Sequence, residues 1–595
     1  MKKIYVSIMA LSIAAGVNAQ SIKKTNYPAA GKNKTVSFEK QKSTSVAQEK
    51  GAPIWSDDFS TPSNWSFSNT SSPTYDWSIV TDANLIPQPA LRPANFTSVN
   101  NGYALVDSDT QGSGNTQNCD ITLTVPFSTL GNPNVSIVFE NSYRTFQDTR
   151  IVQVSSDAGA TWTDFVVTDG TEPTAVNTAN PQITNLNISS AAGNKAAVLI
   201  RFHYEAAWGW FWAIDNVSVN ITDDHDLKAL EALSGVDGAF GVRMPYSQTP
   251  TSQVQPIFFS GRTQNIGANA ETDVVYTATI AAASYSGVSS AYSLTPNQID
   301  TLVIPTTFTP PASIASYTLV SGVSSATNTV NEIDVANNAM SAKTIAVTAN
   351  TYARDNGTIA SGLYNSGQQF EVGNVFDIFT EDVLYAADVV IGTNAVTDAV
   401  MFASLWEIDA DGNPVNQIRS SDRIISAGEQ GTTVTLMFDA PITLLADTPY
   451  LLTAGSDGGA GDDVIIATSG QSPAQTSLFL DETATWGYVT STPMIRMNFD
   501  ASLGLKQLEN KVGMNIYPNP SHGNSTLTFN LENQSNVSFS VTDLTGKVAL
   551  TNEMGSLNSG SHKLSLNTEA LSNGVYFVNI NSNGVTSSQK LVVRK

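Results

Sequence analysis

The stretch Trp210-Phe211-Trp212-Ala213-Ile214-Asp215-Asn216-Val217-Ser218-Val219 decides how this chain is read. Aromatic and β-branched residues dominate it, as they do in strands, and successive strand side chains point to opposite faces. On that alternation Trp208, Trp210 and Trp212 share one face and Phe211 takes the other. Working upstream, Ala197-Val198-Leu199-Ile200-Arg201-Phe202, Ile151-Val152-Gln153-Val154 and Val135-Ser136-Ile137-Val138-Phe139 have the same texture. Asn, Gly, Pro and Ser clusters separate these runs, and no stretch of useful length has helical periodicity. The segment that closes with Trp210–Val219 opens with Trp55-Ser56-Asp57-Asp58-Phe59 and Asn64-Trp65. Residues 51–222 therefore read as one unit of short strands separated by turns.

The same reading extends downstream. In residues 223–350, Val274–Ile280 and Ile345–Thr348 alternate as strands, and Leu227–Leu233 is expected to form a turn or two of helix. In residues 351–502, strands are expected at Val383–Ile391, Ala399–Ile408, Thr433–Phe438, Tyr450–Ala454 and Met494–Phe499. Residues 503–511 read as a linker and 512–595 as seven short strands. The expected fold class is all-β: a multidomain chain of β-sandwiches, two of them jelly-roll-like, with an Ig-like spacer and an Ig-like C-terminal domain. A length of 595 residues is too great for one core.

Three resemblances accompany this outline. The opening and closing motifs of residues 51–222 resemble the jelly rolls of bacterial surface proteins related to MAM and cleaved-adhesin domains. Asn265-Ile266-Gly267 and Glu332-Ile333-Asp334-Val335-Ala336-Asn337-Asn338, each before an alternating strand, resemble the Ig-like CARDB-type module, a common spacer. At the end of the sequence, Asn515-Ile516-Tyr517-Pro518-Asn519-Pro520, Asp543-Leu544-Thr545-Gly546-Lys547, Leu571-Ser572-Asn573-Gly574-Val575-Tyr576 and Lys590-Leu591-Val592-Val593-Arg594-Lys595 follow in that order. This order resembles the type A C-terminal sorting domain of the Bacteroidota type IX secretion system. The resemblance implies that Tyr517, Pro518, Asn519, Pro520, Gly546, Gly574, Tyr576, Lys590 and Leu591 form a sorting signal read by the secretion machinery. It further implies removal of the domain near residues 503–514 and attachment to anionic lipopolysaccharide.

The N-terminus agrees with export. Lys2 and Lys3 precede an apolar run from Ile4 to Val17, and Val17-Asn18-Ala19 offers small residues for cleavage before Gln20. Residues 1–19 read as a signal peptide; the run is shorter than the roughly 20 residues that span a bilayer. No later stretch is apolar enough for a transmembrane segment. The expected localisation is secreted or at the outer cell surface, via the periplasm. Residues 20–50 are polar, Lys-rich and without period, and read as a disordered basic leader able to touch lipopolysaccharide.

Charge is uneven. The net charge is −23, with +7 in residues 1–50, +1 in 512–595 and −31 between them. An acidic body repels phosphate backbones and argues against nucleic acid as a partner. Cys119 is the single cysteine, so no intrachain disulfide forms, and it reads as a small buried hydrophobe.

Catalytic motifs are sparse. The four histidines, His203, His225, His522 and His562, show no H-E-x-x-H spacing, and neither a G-x-S-x-G elbow nor a P-loop occurs. Ser155-Ser156-Asp157-Ala158-Gly159-Ala160-Thr161-Trp162 fits the Asp-box pattern of sialidases. A single copy reads as a structural hairpin, because sialidase propellers repeat the box in each blade. Asp409-Ala410-Asp411-Gly412-Asn413 starts like a calcium loop but has Pro414 and Ser420 where an EF-hand needs Gly and Glu, so it reads as a turn. Asp457–Asp463 reads as an acidic solvated loop. The jelly rolls that residues 51–222 resemble have first and last strands side by side and often hold a structural Ca²⁺ there; that resemblance makes Asp57, Asp58 and Asp215, with Asp107 and Asp109 nearby, candidate ligands at the closure, or else they are turn caps. Trp208 and Trp210 are candidates for stacking on sugar rings, or else core.

Together these features point to an exported modular protein that binds glycan, extracellular matrix or other cells without catalysis. The alternative is an extracellular hydrolase, or an accessory module of one, acting on polysaccharide or protein through carboxylates that converge only in the fold.

Overall fold

The structure is a computed structural model. It describes residues 27, 35–37, 52–71, 76–81, 95–112, 114–168, 177–326, 332, 334–503, 514–531, 534–544, 547–582 and 585–595. The expected signal peptide, most of the expected leader and linker, and Gly546 lie outside the described residues. Strands dominate, and Ser189–Ala192 is a short α-helix. The chain forms two compact units. One comprises Met1–Asp382, Ala387–Leu436 and Leu444–Met497; the other comprises Val383–Ala386, Met437–Thr443 and Asn498–Lys595.

The first domain is a sandwich of two sheets. One has the order Gln182–Asn187, Val135–Tyr143, Phe211–Ile221, Tyr103–Asp107, Ser78–Val80; the other runs Trp65–Asn69, Thr116–Leu123, Leu199–Ala207, Asp148–Ser155, Thr163–Val166. The opening strand Trp55–Asp57 pairs antiparallel with the closing one, Asp57 opposite Val217 and Trp55 opposite Val219. Alternation is visible in burial: Gln117, Cys119, Ile121 and Leu123 are buried while Asn118, Asp120 and Thr122 are partly exposed. The inward rows meet in an aromatic core, where Trp212 packs edge-on against Trp77 and Phe202 with centroids 5.4 and 5.7 Å apart. Each such ring removed from water contributes on the order of 2–3 kcal/mol.

The middle domain is also two-layered. Leu227–Gly235, Phe258–Asn265 and Ile299–Val303 form one sheet; Gln248–Pro250, Lys343–Thr348, Ala315–Ser325, Glu271–Ile280 and Tyr285–Val288 form the other. The helix expected at Leu227–Leu233 is instead a strand, paired with Phe258–Asn265 from Leu227 opposite Asn265 to Gly235 opposite Phe258. Its Ala, Leu, Lys and Glu favour helix locally, but backbone pairing and burial of Leu227 and Ala232 override that preference.

In the third domain, strands Asp382–Val390, Val400–Ile408, Thr433–Leu444, Thr448–Ser456 and Ile495–Asn498 lie where expected, and Thr351–Tyr352 adjoins Ile495–Asn498. Its largest sheet has an unexpected centre, Phe370–Ile378, flanked by Thr448–Ser456 and Ser477–Leu480. The third domain also pairs with the segment expected to be a leader: Thr35–Ser37 runs antiparallel to Ser361–Leu363.

The C-terminal domain has the seven expected strands. Asn515–Tyr517, Asn524–Leu531 and Gly560–Asn567 form one sheet; Val548–Leu557, Ser535–Asp543, Gly574–Ser582 and Val585–Val593 form the other. Leu527, Phe529, Val541, Val578, Ile580 and Leu591 fill the space between them.

Candidate functional site

Closure of the first sandwich gathers carboxylates at one end. Asp57 is fully engaged: Oδ1 accepts the Phe59 N–H at 2.9 Å and the Trp65 indole N–H at 3.0 Å, and Oδ2 accepts Asn64 Nδ2 at 2.7 Å. It therefore fastens the loop that leads into the second sheet. Asp58 accepts Ser60 N–H at 3.1 Å and Asn101 Nδ2 at 3.1 Å. Asp215 is fully buried at the irregularity in its strand, where Asn216 takes φ of 50°. Its oxygens accept Asn216 N–H at 2.7 Å and Ser98 Oγ–H at 3.0 Å. Burial pushes the Asp215 carboxyl up to about 7, against those two hydrogen bonds and with help from the Glu140 and Asp58 charges. Glu140 was not singled out in the sequence; it joins through Thr97 N–H at 2.7 Å and Asn216 Nδ2 at 3.1 Å. Asp107 caps its own turn, accepting Asp109 N–H at 3.0 Å. Among the described residues no group of three or more His, Cys, Asp or Glu is placed to hold a metal ion.

A second constellation lies on the outer face of the other sheet. Register sets Asp120 opposite His203, and Glu205 opposite Asn118. His203 Nδ1 lies 2.6 Å from Asp120 Oδ1, and its Nε2 lies 3.2 Å from Glu205 Oε1. Arg201 Nη1 is 3.4 Å from Asp120 Oδ2, Ser68 donates to the same oxygen at 3.2 Å, and Asn118 Nδ2 donates to Glu205 at 2.9 Å. Arg201 also donates to Gln153, whose amide donates to Asp164 at 2.7 Å. The Arg201 guanidinium stacks 4.3 Å over the half-buried Trp162 ring. The Asp120 hydrogen bond holds His203 above its ordinary range, against the effect of burial. Burial opposes ionisation of Asp120, but His203 and Arg201 outweigh it and hold the carboxyl low. The result is a pre-set ladder of donors and acceptors with one aromatic ring at its edge.

Trp162 comes from the Asp box, which is a hairpin between Asp148–Ser155 and Thr163–Val166. Asp157 accepts Thr161 N–H at 2.9 Å and Thr161 Oγ1–H at 2.5 Å, and these bonds hold its carboxyl down to about 2. The box's structural role is thus to place Trp162 beside Arg201.

The tryptophan candidates divide. Trp210 is 5% exposed, lies in a cluster with Phe96, Tyr103, Leu105, Phe146 and Phe211, and carries the Arg144 guanidinium 3.7 Å over its ring. Trp212 belongs to the main core instead. The shared face expected for Trp210 and Trp212 therefore does not form, because Trp210 precedes the strand that begins at Phe211. Trp208 is half-buried at φ of 57°.

Cys119 is 1% exposed, and burial pushes its thiol far up. It sits opposite Tyr204 on the core side, while Asp120 and His203 face outward, so thiol and imidazole lie on opposite faces of one sheet. The Asp409 loop is a turn whose Oδ1 accepts Asp411 N–H at 2.9 Å and Asn413 N–H at 2.8 Å. In the acidic loop, Asp457 pairs with Arg419 at 2.6 Å. A polar cleft of about 590 Å³ lies where the middle and third domains meet, lined by Glu231, Ser247, Lys343, Asn356 and Gln471 among others.

In the C-terminal domain the separated signature motifs meet. Asn519 Nδ2 donates to Lys590 O at 2.7 Å, and its Oδ1 accepts Val592 N–H at 2.8 Å. Leu591 is buried opposite Tyr576, which donates its hydroxyl hydrogen to Ser572 O at 3.1 Å. Tyr517 is 76% exposed.

Residues 515–594 match the family model of the secretion system C-terminal sorting domain. The chain is a type IX secretion cargo. The match accounts for export to the cell surface or beyond, and no helix among the described residues is long and apolar enough to cross a membrane. None of the curated proteins compared with the cargo matches it. Solved structures are similar only at a distance. The enzymatically active domain of tailspike protein 4 from bacteriophage CBA120 is 14% identical over 28% of this chain and 20% of that one, with a TM-score of 0.19. Exo-chitosanase CsxA from Amycolatopsis orientalis is 10% identical over 88% and 100%, with a TM-score of 0.20. A β-glucuronidase from Bacteroides uniformis is 8% identical over 50% and 34%, with a TM-score of 0.21. Likenesses at this level carry no argument about the cargo's activity.

Proposed function

We propose that the exported cargo is a non-catalytic binding protein that attaches to glycan, matrix carbohydrate or the surfaces of other cells through the outer face of its first domain. The observation that carries this reading is the Arg201–Trp162 stack beside the His203–Asp120–Glu205 ladder. Sugars present hydroxyls that need fixed donors and acceptors, and C–H faces that stack on aromatic rings. The two carboxylates that converge here hold an imidazole between them, an ion-pair ladder rather than two acids facing a scissile bond. The sequence resemblance of the first module to adhesin-related jelly rolls, and of the middle module to a common spacer, favours an adhesive role.

A glycan array and a cell-attachment assay with the secreted chain test the reading. Binding that Trp162→Ala and Arg201→Ala abolish supports it; blank arrays together with unaltered attachment end it. Calcium at Asp57, Asp58 and Asp215 remains a proposal that rests on the jelly-roll resemblance, since all three carboxylates already accept hydrogen bonds. Titration calorimetry tests it: heat of binding with a raised melting temperature supports calcium, and neither ends it.

A further inference from the structure

Two points fasten the basic leader to the third domain. At Tyr27, the side chain of Gln475 reads the peptide backbone: Tyr27 N–H donates to Oε1 at 2.8 Å, and Gln475 Nε2 donates to the Tyr27 carbonyl at 2.9 Å. The Tyr27 hydroxyl donates to Gly412 O at 3.1 Å. Further along, Thr35–Ser37 adds a strand to Ser361–Leu363, with Val36 opposite Gly362.

The acceptor is built rather than incidental. Ser361, Gly362 and Leu363 are all buried, and their other edge already pairs with Ile466–Gln471. Thr35–Ser37 therefore covers the one edge of that strand left to pair. Gln475 takes φ of 67°, a conformation that non-glycine residues adopt rarely and only when their surroundings enforce it. The enforcement is visible. Buried Arg354 donates to Thr476 O at 2.7 Å, Thr476 Oγ1 at 2.7 Å, Ser472 Oγ at 2.9 Å and Val375 O at 3.0 Å, fixing the turn that bears Gln475. The Asp409 turn fixes Gly412 in the same way. Charge is complementary: residues 20–50 hold seven Lys and two Glu, net +5, whereas 351–502 hold twenty Asp and Glu against four Arg, net −16.

We propose that the third domain carries an extended-peptide site, formed by the Ser361–Leu363 edge, Gln475 and the Gly412 turn, which the chain's own basic leader fills in cis as a detachable edge strand. Edge pairing and the Gln475 amide read backbone and so accept any extended peptide. The Gly412 carbonyl and the acidic surroundings select a basic one bearing tyrosine. Loss of the leader bares an edge able to take another strand of that kind.

The test uses the chain from residue 20 with a site for a specific protease placed within residues 44–49. After cleavage at low salt the leader fragment should co-elute with the body and should dissociate as salt rises, since the attraction is screened. A fluorescent peptide of residues 21–42 should then rebind the leader-free chain. Tyr27→Ala in the peptide, which leaves the acceptor untouched, should weaken binding about ten-fold, as should Gln475→Ala in the chain. A fragment that separates at low salt, with no binding of the peptide, overturns the proposal. Binding indifferent to both substitutions overturns the location. If the uncut chain instead forms dimers that Tyr27→Ala abolishes, the leader occupies a second copy and filling in cis is refuted.

Discussion

Asn519 is hydrogen-bonded to Lys590 across the C-terminal domain, its amide 2.7 Å from the Lys590 carbonyl, while its own carbonyl takes the Val592 N–H at 2.8 Å. One side chain thus ties the first motif of the sorting signature to the last strand. Two hydrogen bonds of ordinary strength are worth about 1–3 kcal/mol together. Asn519→Ala should lower the stability of this domain by that amount, and Asn519→Asp, which keeps the acceptor only, by roughly half of it. Denaturant unfolding followed through this domain measures both. Deleting Lys590–Lys595 removes both partners and part of the strand, and should leave the chain in the periplasm. Secretion of the truncated chain at the normal level would refute the link between this strand and export.

Buried Asp215 makes the first domain sensitive to pH. Its carboxyl titrates near 7 when folded and near 4 when unfolded, so between those values the folded state binds the extra proton. Stability from this group is therefore present at low pH and falls as pH rises from about 4 through about 7. Asp215→Asn mimics the protonated form and keeps groups that can bond Ser98 and the Asn216 N–H. The variant should come closest to the wild type at or below about pH 4 and melt increasingly higher as pH rises to 8. A wild-type melting temperature that is flat across this range, or a variant that melts lower at pH 8, would falsify the assignment.

His203 adds a second contribution with the same sign. Its imidazolium is stabilised by Asp120, so its contribution is complete below about pH 6.5 and disappears as pH rises through the raised folded value. His203→Gln should remove that component without touching the Asp215 component, because the two lie on different sheets. The difference between wild-type and variant melting curves, recorded from pH 5 to 9, isolates it. The same substitution should reduce glycan attachment more at pH 6 than at pH 8.5.

The sandwich layout was readable because inward and outward residues alternate along strands such as Thr116–Leu123. The closing pair of Trp55–Asp57 with Phe211–Ile221 was expected only from the jelly-roll resemblance of the opening and closing motifs, since alternation does not name a strand's partner. The central strand Phe370–Ile378 escaped notice because it interleaves Glu371, Asn374 and Asp377 with apolar residues, although every position in it is buried. Those polar groups find partners only in three dimensions: Glu371 accepts the Trp406 indole N–H at 3.1 Å, and Asn374 Nδ2 donates to Pro493 O at 2.7 Å. Leu227–Gly235 misled in the opposite way, since its local preference is helical and its pairing is not local. For the candidate site, the Asp-box hairpin was legible from spacing. The His203–Asp120–Glu205 ladder was not, since it depends on the register of strands far apart in sequence.

The division between Trp210 and Trp162 gives the sharpest contrast between core and site. Trp210 fills a buried cluster under the Arg144 guanidinium, so truncation opens a cavity and leaves a charge without its aromatic cover. Trp210→Ala should cost about 3–5 kcal/mol, the range for large aromatic deletions in cores. Trp162 sits half-buried at a hairpin end whose geometry is set by Asp157 rather than by the ring. Trp162→Ala should therefore cost less than about 1 kcal/mol, as partly exposed sites do. Binding should rank the two variants in reverse: attachment lost in Trp162→Ala with folding intact, and attachment retained by whatever fraction of Trp210→Ala stays folded. Thermal unfolding and glycan binding measured on the same samples decide the matter. A Trp162→Ala chain that folds and still binds at wild-type level would move the proposed site off this face.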